Sequence, residues 1–152
     1  MVKELLVKLP IRGEIIPLSE VDDFIFSGKV MGEGVAIKAE DGIVYSPVNG
    51  TIEVFYETKH AIVIKTEEGI RILMHIGIGT VSLDGRGFGS YVNEGDEVKA
   101  GDKIVFYDKE YVEKKASLVS PIIILDKEKI ESFEVDYKAS KIGDDLIKIV
   151  IK

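Results

Sequence analysis

The chain has 152 residues, no cysteine, two histidines, and 27 acidic against 20 basic side chains, for a net charge of −7. That composition excludes thiol chemistry, cysteine-ligated zinc and a disulfide framework, and it leaves no broad basic surface for nucleic acid. The length suits one domain spanning residues 1–152, able to bury about two-thirds of the surface its unfolded form would expose without a disulfide or structural metal.

The opening residues, 1–10, are too short and too interrupted by charge for a signal peptide, and no later run approaches the ~20 apolar residues of a membrane span. The sequence therefore reads as that of a soluble, cytoplasmic protein. Gly and Pro punctuate short Val/Ile-rich runs, and sustained 3.6-residue periodicity is scarce. Strands are expected over 14–16, 35–39, 43–45, 50–56, 61–66, 70–75, 103–107, 117–125 and 146–151. Short helical turns are expected at 19–26, where Ser19 could cap with Asp22 three residues on, and at 109–115 after the cap residue Asp108. This pattern predicts an all-β fold, a sandwich or barrel with a few short helical turns. Pro10-Ile11-Arg12-Gly13-Glu14-Ile15 echoes Pro47-Val48-Asn49-Gly50-Thr51-Ile52, and Gly-Asp steps recur at 95–96, 101–102 and 143–144. Such steps are common turn chemistry, yet their repetition at both ends suggests a duplicated β motif.

The two histidines, His60 and His75, sit in successive apolar runs that alternate like strands, with Thr66-Glu67-Glu68-Gly69 between them. A four-residue loop with Gly69 in the left-handed region pairs Lys65 with Ile70 and sets His60 directly opposite His75, with Cβ atoms about 5 Å apart. A three-residue loop with a bulge at Gly69 slips the pairing by one and could send the rings to opposite faces. In the first register Thr58, His60, Ile62 and Ile64 share a face with Arg71, Leu73 and His75, so a hydroxyl and a guanidinium flank two imidazoles in an apolar patch. Neutral histidine is a nucleophile and can accept a phosphoryl group, while a partner ring can hydrogen-bond the phosphate. Zinc wants three or four protein ligands, and this hairpin supplies two.

These residues resemble the glucose-type IIA component (EIIA) of the bacterial phosphoenolpyruvate-dependent sugar phosphotransferase system (PTS). The resemblance runs from about Arg12 to the C-terminus and rests on the order and spacing of segments 30–37, 46–52, 58–61, 73–78, 80–88 and 94–102. It implies an antiparallel β-sandwich with a duplicated hybrid motif. It also implies that His75 accepts the phosphoryl group through Nε2 from the phosphohistidine of the carrier HPr and passes it to a cysteine on a IIB (EIIB) domain. His60 matches the ring that supports the phosphate, and Thr58 the hydroxyl that orients His60; the carbonyl of Gly77 is the expected acceptor for His75 Nδ1–H. Phe26, Val30, Met31, Tyr56, Ile62, Leu73 and Val81 match the docking patch. No cofactor or metal is implied, the chain is expected to be a monomer, and membrane contact is transient, through the permease, with no insertion. Family members often carry an acidic residue where this chain has Gly79, and no amphipathic tethering tail is evident.

Two other classes share parts of the pattern. The turns at 46–52 and 94–102 echo a lipoyl or biotinyl carrier domain, with Lys109 mimicking its modified lysine, but the insert between them is too long and Lys109 is expected to open a helix. A zinc peptidase on a related duplicated fold would need a further His and an Asp ligand.

Overall fold

The computed structural model describes residues 3–152; Met1 and Val2 lie outside them. In chain order the elements are β1 (Lys3–Lys8), β2 (Gly13–Pro17), a 3-10 turn (Leu18–Glu20), α1 (Phe24–Ser27), β3 (Glu33–Ala39), β4 (Ile43–Tyr45), β5 (Gly50–Phe55), β6 (Ala61–Thr66), β7 (Arg71–His75), a 3-10 turn (Thr80–Leu83), β8 (Phe88–Ser90), β9 (Glu97–Val98), β10 (Lys103–Tyr107), α2 (Lys109–Lys115), β11 (Val119–Ile124), a 3-10 turn (Lys127–Lys129), β12 (Ile130–Val135) and β13 (Asp145–Ile151). The expected strands and the helix at 109–115 are present, the latter capped by the Asp108 side chain accepting from Tyr111 N–H. Within 19–26 the expectation needs correction. Ser19 lies inside a 3-10 turn that Pro17 opens, and it is Asp23, accepting from Ile25 N–H, that caps the short α1.

The strands form a seven-stranded antiparallel sheet, β2-β3-β11-β7-β6-β5-β9, and two three-stranded sheets, β1-β13-β12 and β4-β10-β8. Alternation gives the large sheet two apolar faces. One face, with Val35, Ile37, Ile62, Ile64, Ile72, Met74 and Ile122, packs on Val7, Val44, Ile104, Val105, Ile147 and Ile149 of the small sheets to make the main core. The other, with Ile16, Ala36, Ala61, Val63, Leu73 and Ile123, is covered by Leu18, Val21 and Phe26 from the segment between β2 and β3. The second, smaller cluster is what brings Phe26 to the histidines.

The duplication suggested by the two Pro turns is built into the hydrogen bonds. Lys8 N–H donates to Pro47 C=O and Tyr45 N–H to Pro10 C=O, both at 2.8 Å. Leu9 exchanges bonds with Gly143 and Asp144 as Ser46 does with Gly101 and Asp102. The large sheet divides accordingly into β2-β3-β11 and β5-β6-β7, which meet where Ile122 pairs with Met74. Gly13 pairs with Ala39 as Gly50 pairs with Thr66, and Gly34 pairs with Ile123 as Ala61 pairs with His75. Followed along the strands, that register sets Glu33 where the other half has His60, and Ile123 where it has His75.

Candidate functional site

The β6–β7 hairpin adopts the slipped register. Thr66 and Ile70 close the loop through Thr66 N–H to Ile70 C=O at 3.0 Å, leaving Glu67-Glu68-Gly69 as a three-residue turn with Gly69 at φ +86°. Pairing then runs Lys65↔Arg71 to Ala61↔His75, so His60 is not the residue opposite His75. The expected shared face is corrected with it. Ile62 and Ile64 point into the main core with Ile72 and Met74, whereas Leu73 and His75 lie on the other side with Ala61 and Val63. Arg71 stands at the far end of β7, its guanidinium and backbone N–H both bound to Asp126, and does not flank the imidazoles.

The rings meet nevertheless, because His60 lies outside the pleat. β5 ends at Phe55, Lys59 N–H donates to Tyr56 C=O at 2.8 Å, and Lys59 itself is left-handed at φ +60°. A left-handed residue breaks the period-two alternation, so His60 does not follow Ile62 into the core. Its carbonyl accepts from Ile76 N–H at 2.6 Å, tying it to the residue after His75. The imidazole centroids are 5.1 Å apart and nearly perpendicular, at 81°. Phe26 lies 4.9 Å from His75, and Tyr56 sits edge-on to His60 at 5.5 Å.

Each ring is oriented through Nδ1. Thr58 Oγ1 lies 2.6 Å from His60 Nδ1, and His75 Nδ1–H donates to Gly77 C=O at 2.7 Å. That bond makes Nδ1 the protonated nitrogen of neutral His75 and leaves the Nε2 lone pair free. Burial lowers the pKa of both rings below 6.5; for His60 the charge of His75 lowers it further, while for His75 the Gly77 bond and Asp23 act in the opposite direction. The site thus favours two neutral imidazoles, one of which carries an unshared lone pair.

Of the expected docking residues, Val30, Met31, Tyr56 and Val81 are exposed, as are Phe24 and Ile25 of α1. The other three expected docking residues are buried. Ile62 is wholly enclosed in the main core, because the register turns it away from His75, so it presents no surface to a partner. Leu73 and Phe26 are each 4% exposed and form the floor beneath the rings. Gly79, the position lacking a carboxylate, is left-handed at φ +82° and starts the 3-10 turn that carries Val81. A cleft of about 550 Å³ lined by Asn49, Lys65, Glu97 and Lys99 lies beside β9 and touches neither histidine. Of the two imidazoles, His60 is buried at 4% exposure and His75 is partly exposed, so His75 is the ring that another protein can reach.

Two residues near the site were not expected from sequence. Asp23 acts electrostatically on His75 and caps α1. Ser120, fully buried on β11, accepts from Gly77 N–H at 3.0 Å. The Ser-Pro step inside an otherwise apolar run was the available signal, since proline interrupts a central ladder. Lys109 opens α2 as expected. Among the described residues no three His, Cys, Asp or Glu side chains cluster to hold a metal, and no helix is long and apolar enough to cross a membrane.

Residues 5–130 match the family described as phosphoenolpyruvate-dependent sugar phosphotransferase system, EIIA 1. The chain belongs to this family. It is 51% identical over 123 residues to the PTS system glucose-specific EIIA component of Oceanobacillus iheyensis, covering 80% of this chain and 74% of the relative. It is 42% identical over 146 residues to the protein so named from Bacillus cereus, covering 94% and 88%. Its fold is similar to that of the glucose permease IIA from Mycoplasma capricolum, with a TM-score of 0.88 and 41% identity over 96% of each chain. As an EIIA, the chain has a phosphotransferase role in sugar transport, on the antiparallel β-sandwich that the resemblance implies.

Proposed function

We propose that the whole chain acts as one domain, a phosphoryl carrier that accepts phosphate on His75 from phospho-HPr and passes it to a IIB domain serving a sugar of the glucose class. In acceptance, the free Nε2 lone pair of His75 attacks phosphorus as the donor's P–N bond breaks, and the donor imidazole keeps the electron pair. In release, a thiolate of the IIB domain attacks and the His75 P–N bond breaks in turn. Thr58 donates its O–H to His60 Nδ1, which keeps the His60 proton on Nε2, where it hydrogen-bonds a phosphate oxygen. Transfer between imidazoles asks mainly for in-line positioning and a dry, screened site. Val30, Met31, Tyr56 and Val81 supply an apolar collar that a docked partner seals, with Phe26 and Leu73 beneath it.

The observation that carries this reading is the ring pair: two imidazoles 5.1 Å apart, only one of them with its Nδ1–H committed to a backbone carbonyl. The glucose class follows from the names of the relatives. Membrane association is transient, through the permease. Incubation with phosphoenolpyruvate, enzyme I and HPr tests the proposal. One acid-labile, base-stable phosphate per chain is expected, and it disappears in His75→Gln. Label that survives His75→Gln contradicts the assignment.

A further inference from the structure

The β7–β11 ladder extends toward the site as far as Ile122↔Met74 and stops, and the next residue on β11 is Pro121, which has no N–H to give. Beyond the break the chain after His75 is held in another way. Gly77 N–H donates to the hydroxyl of Ser120 at 3.0 Å, and that hydroxyl donates to Leu118 C=O at 3.0 Å. One residue further on, Ile78 and Ser117 exchange backbone bonds at 3.0 Å each. Gly77 is therefore fastened on both sides, and its carbonyl is the group that fixes the His75 tautomer. The position also demands glycine. Its φ is +74°, and a Cβ there would stand 2.5 Å from Ser117 C=O. A glycine free of side-chain packing needs outside anchors to keep its carbonyl aimed.

From this chain of contacts we propose that Ser120 is a positioning residue for phosphoryl transfer: its buried hydroxyl bridges the interrupted ladder and holds Gly77 so that His75 presents Nε2 as the nucleophile. Ser120 does not touch the reacting atoms, and its hydroxyl is wholly enclosed. Its contribution reaches the ring through one backbone residue, in the way that outer groups fix the tautomer of an oriented histidine. The inference rests on His75 being the acceptor, but its first readout does not require phosphate at all.

Ser120→Ala and Ser120→Thr test it in the full chain. Long-range 1H–15N spectra of His75 in the unphosphorylated protein report which ring nitrogen carries the proton. Ser120→Ala is expected to lower the share of the Nδ1–H form, and to slow phosphate acceptance from phospho-HPr roughly three- to tenfold, the scale of one orphaned buried donor. Ser120→Thr keeps the hydroxyl on a residue suited to a strand and is expected to restore both. Should the alanine variant fail to fold, Ser120→Cys, nearly isosteric but a weak acceptor, is expected to give the same tautomer change in smaller degree. Wild-type tautomer populations in the folded Ala or Cys variant, or no recovery with Thr, overturn the inference. Wild-type protein that takes no phosphate overturns the functional reading and leaves the tautomer result standing.

Discussion

The two halves of the seven-stranded sheet share a register and differ in what their connections expose. In one half, the segment between β2 and β3 is long, carries α1, and lays Phe26 over Ile123, which is completely buried. In the other, β5 and β6 are joined by a short turn around a left-handed Lys59, and the position matching Ile123 is the partly buried His75. Where the second half has His60, the first has Glu33, ion-paired with Lys29 at 3.5 Å and Lys127 at 3.8 Å. The scaffold is doubled and the site is single. What makes the site is the short connection that leaves one strand end uncovered, together with the long one that supplies its apolar rim.

The comparison is sharpest in His75→Gln, expected to abolish phosphate acceptance in an enzyme I/HPr labelling assay. Ile123→Val at the matching position is expected to cost about 0.5–1.5 kcal/mol in a urea melt and to leave labelling intact. Labelling lost in both would mean that the halves are not distinct in function. Thr58→Val removes the hydroxyl that orients His60, and onward transfer to a IIB domain is expected to slow roughly three- to tenfold with His75 still labelled. Unchanged stopped-flow rates would remove His60's proton placement from the account.

Acidity separates the halves next. Both histidines have folded-state pKa values below 6.5, so the unfolded chain takes up protons first as the pH falls. The histidine contribution to stability is therefore level above about pH 6.5 and declines below it, until the folded-state values are reached. Acceptance should likewise hold down to pH 6.5 and fall only beneath it. Thermal melts of the His60→Gln, His75→Gln double variant should show a weaker decline over that window, and an unaltered profile would contradict the burial argument. Smaller still, Glu33→Gln is expected to change stability by under about 1 kcal/mol, because its lysine partners are exposed, with no effect on transfer. Lys59→Gly relieves a left-handed backbone and should raise stability by less than about 1 kcal/mol. A loss of stability there would place the cost of the turn elsewhere.

How much of this was legible in the sequence follows the same division. Central strands read clearly because their Val/Ile runs are buried on both faces. The strands that escaped reading, β1, β8, β9 and β12, all lie at sheet edges. They are short, like Glu97–Val98, or laced with charge, like Lys3–Lys8, which is how edges are kept from pairing with other chains. Both histidines, Thr58 and Gly77 were legible from spacing and resemblance, and the four stand together. The register was not. It turned on whether Gly69 closed a three- or a four-residue loop, a difference of one backbone bond. Alternation also failed at His60, since a lysine in the left-handed region carries no sequence signature. Ile62 was misplaced by the register, which turns it into the main core, and Ser120 escaped because the Ser-Pro step marks an interrupted ladder without naming Gly77 as the donor its hydroxyl takes up.

The most direct test of the central claim is a long-range 1H–15N spectrum of the chain phosphorylated by enzyme I and HPr. The account predicts phosphate on Nε2 of His75, with Nδ1–H still bonded to Gly77 and His60 unmodified. Phosphate on Nδ1 of His75, or on His60, would contradict it.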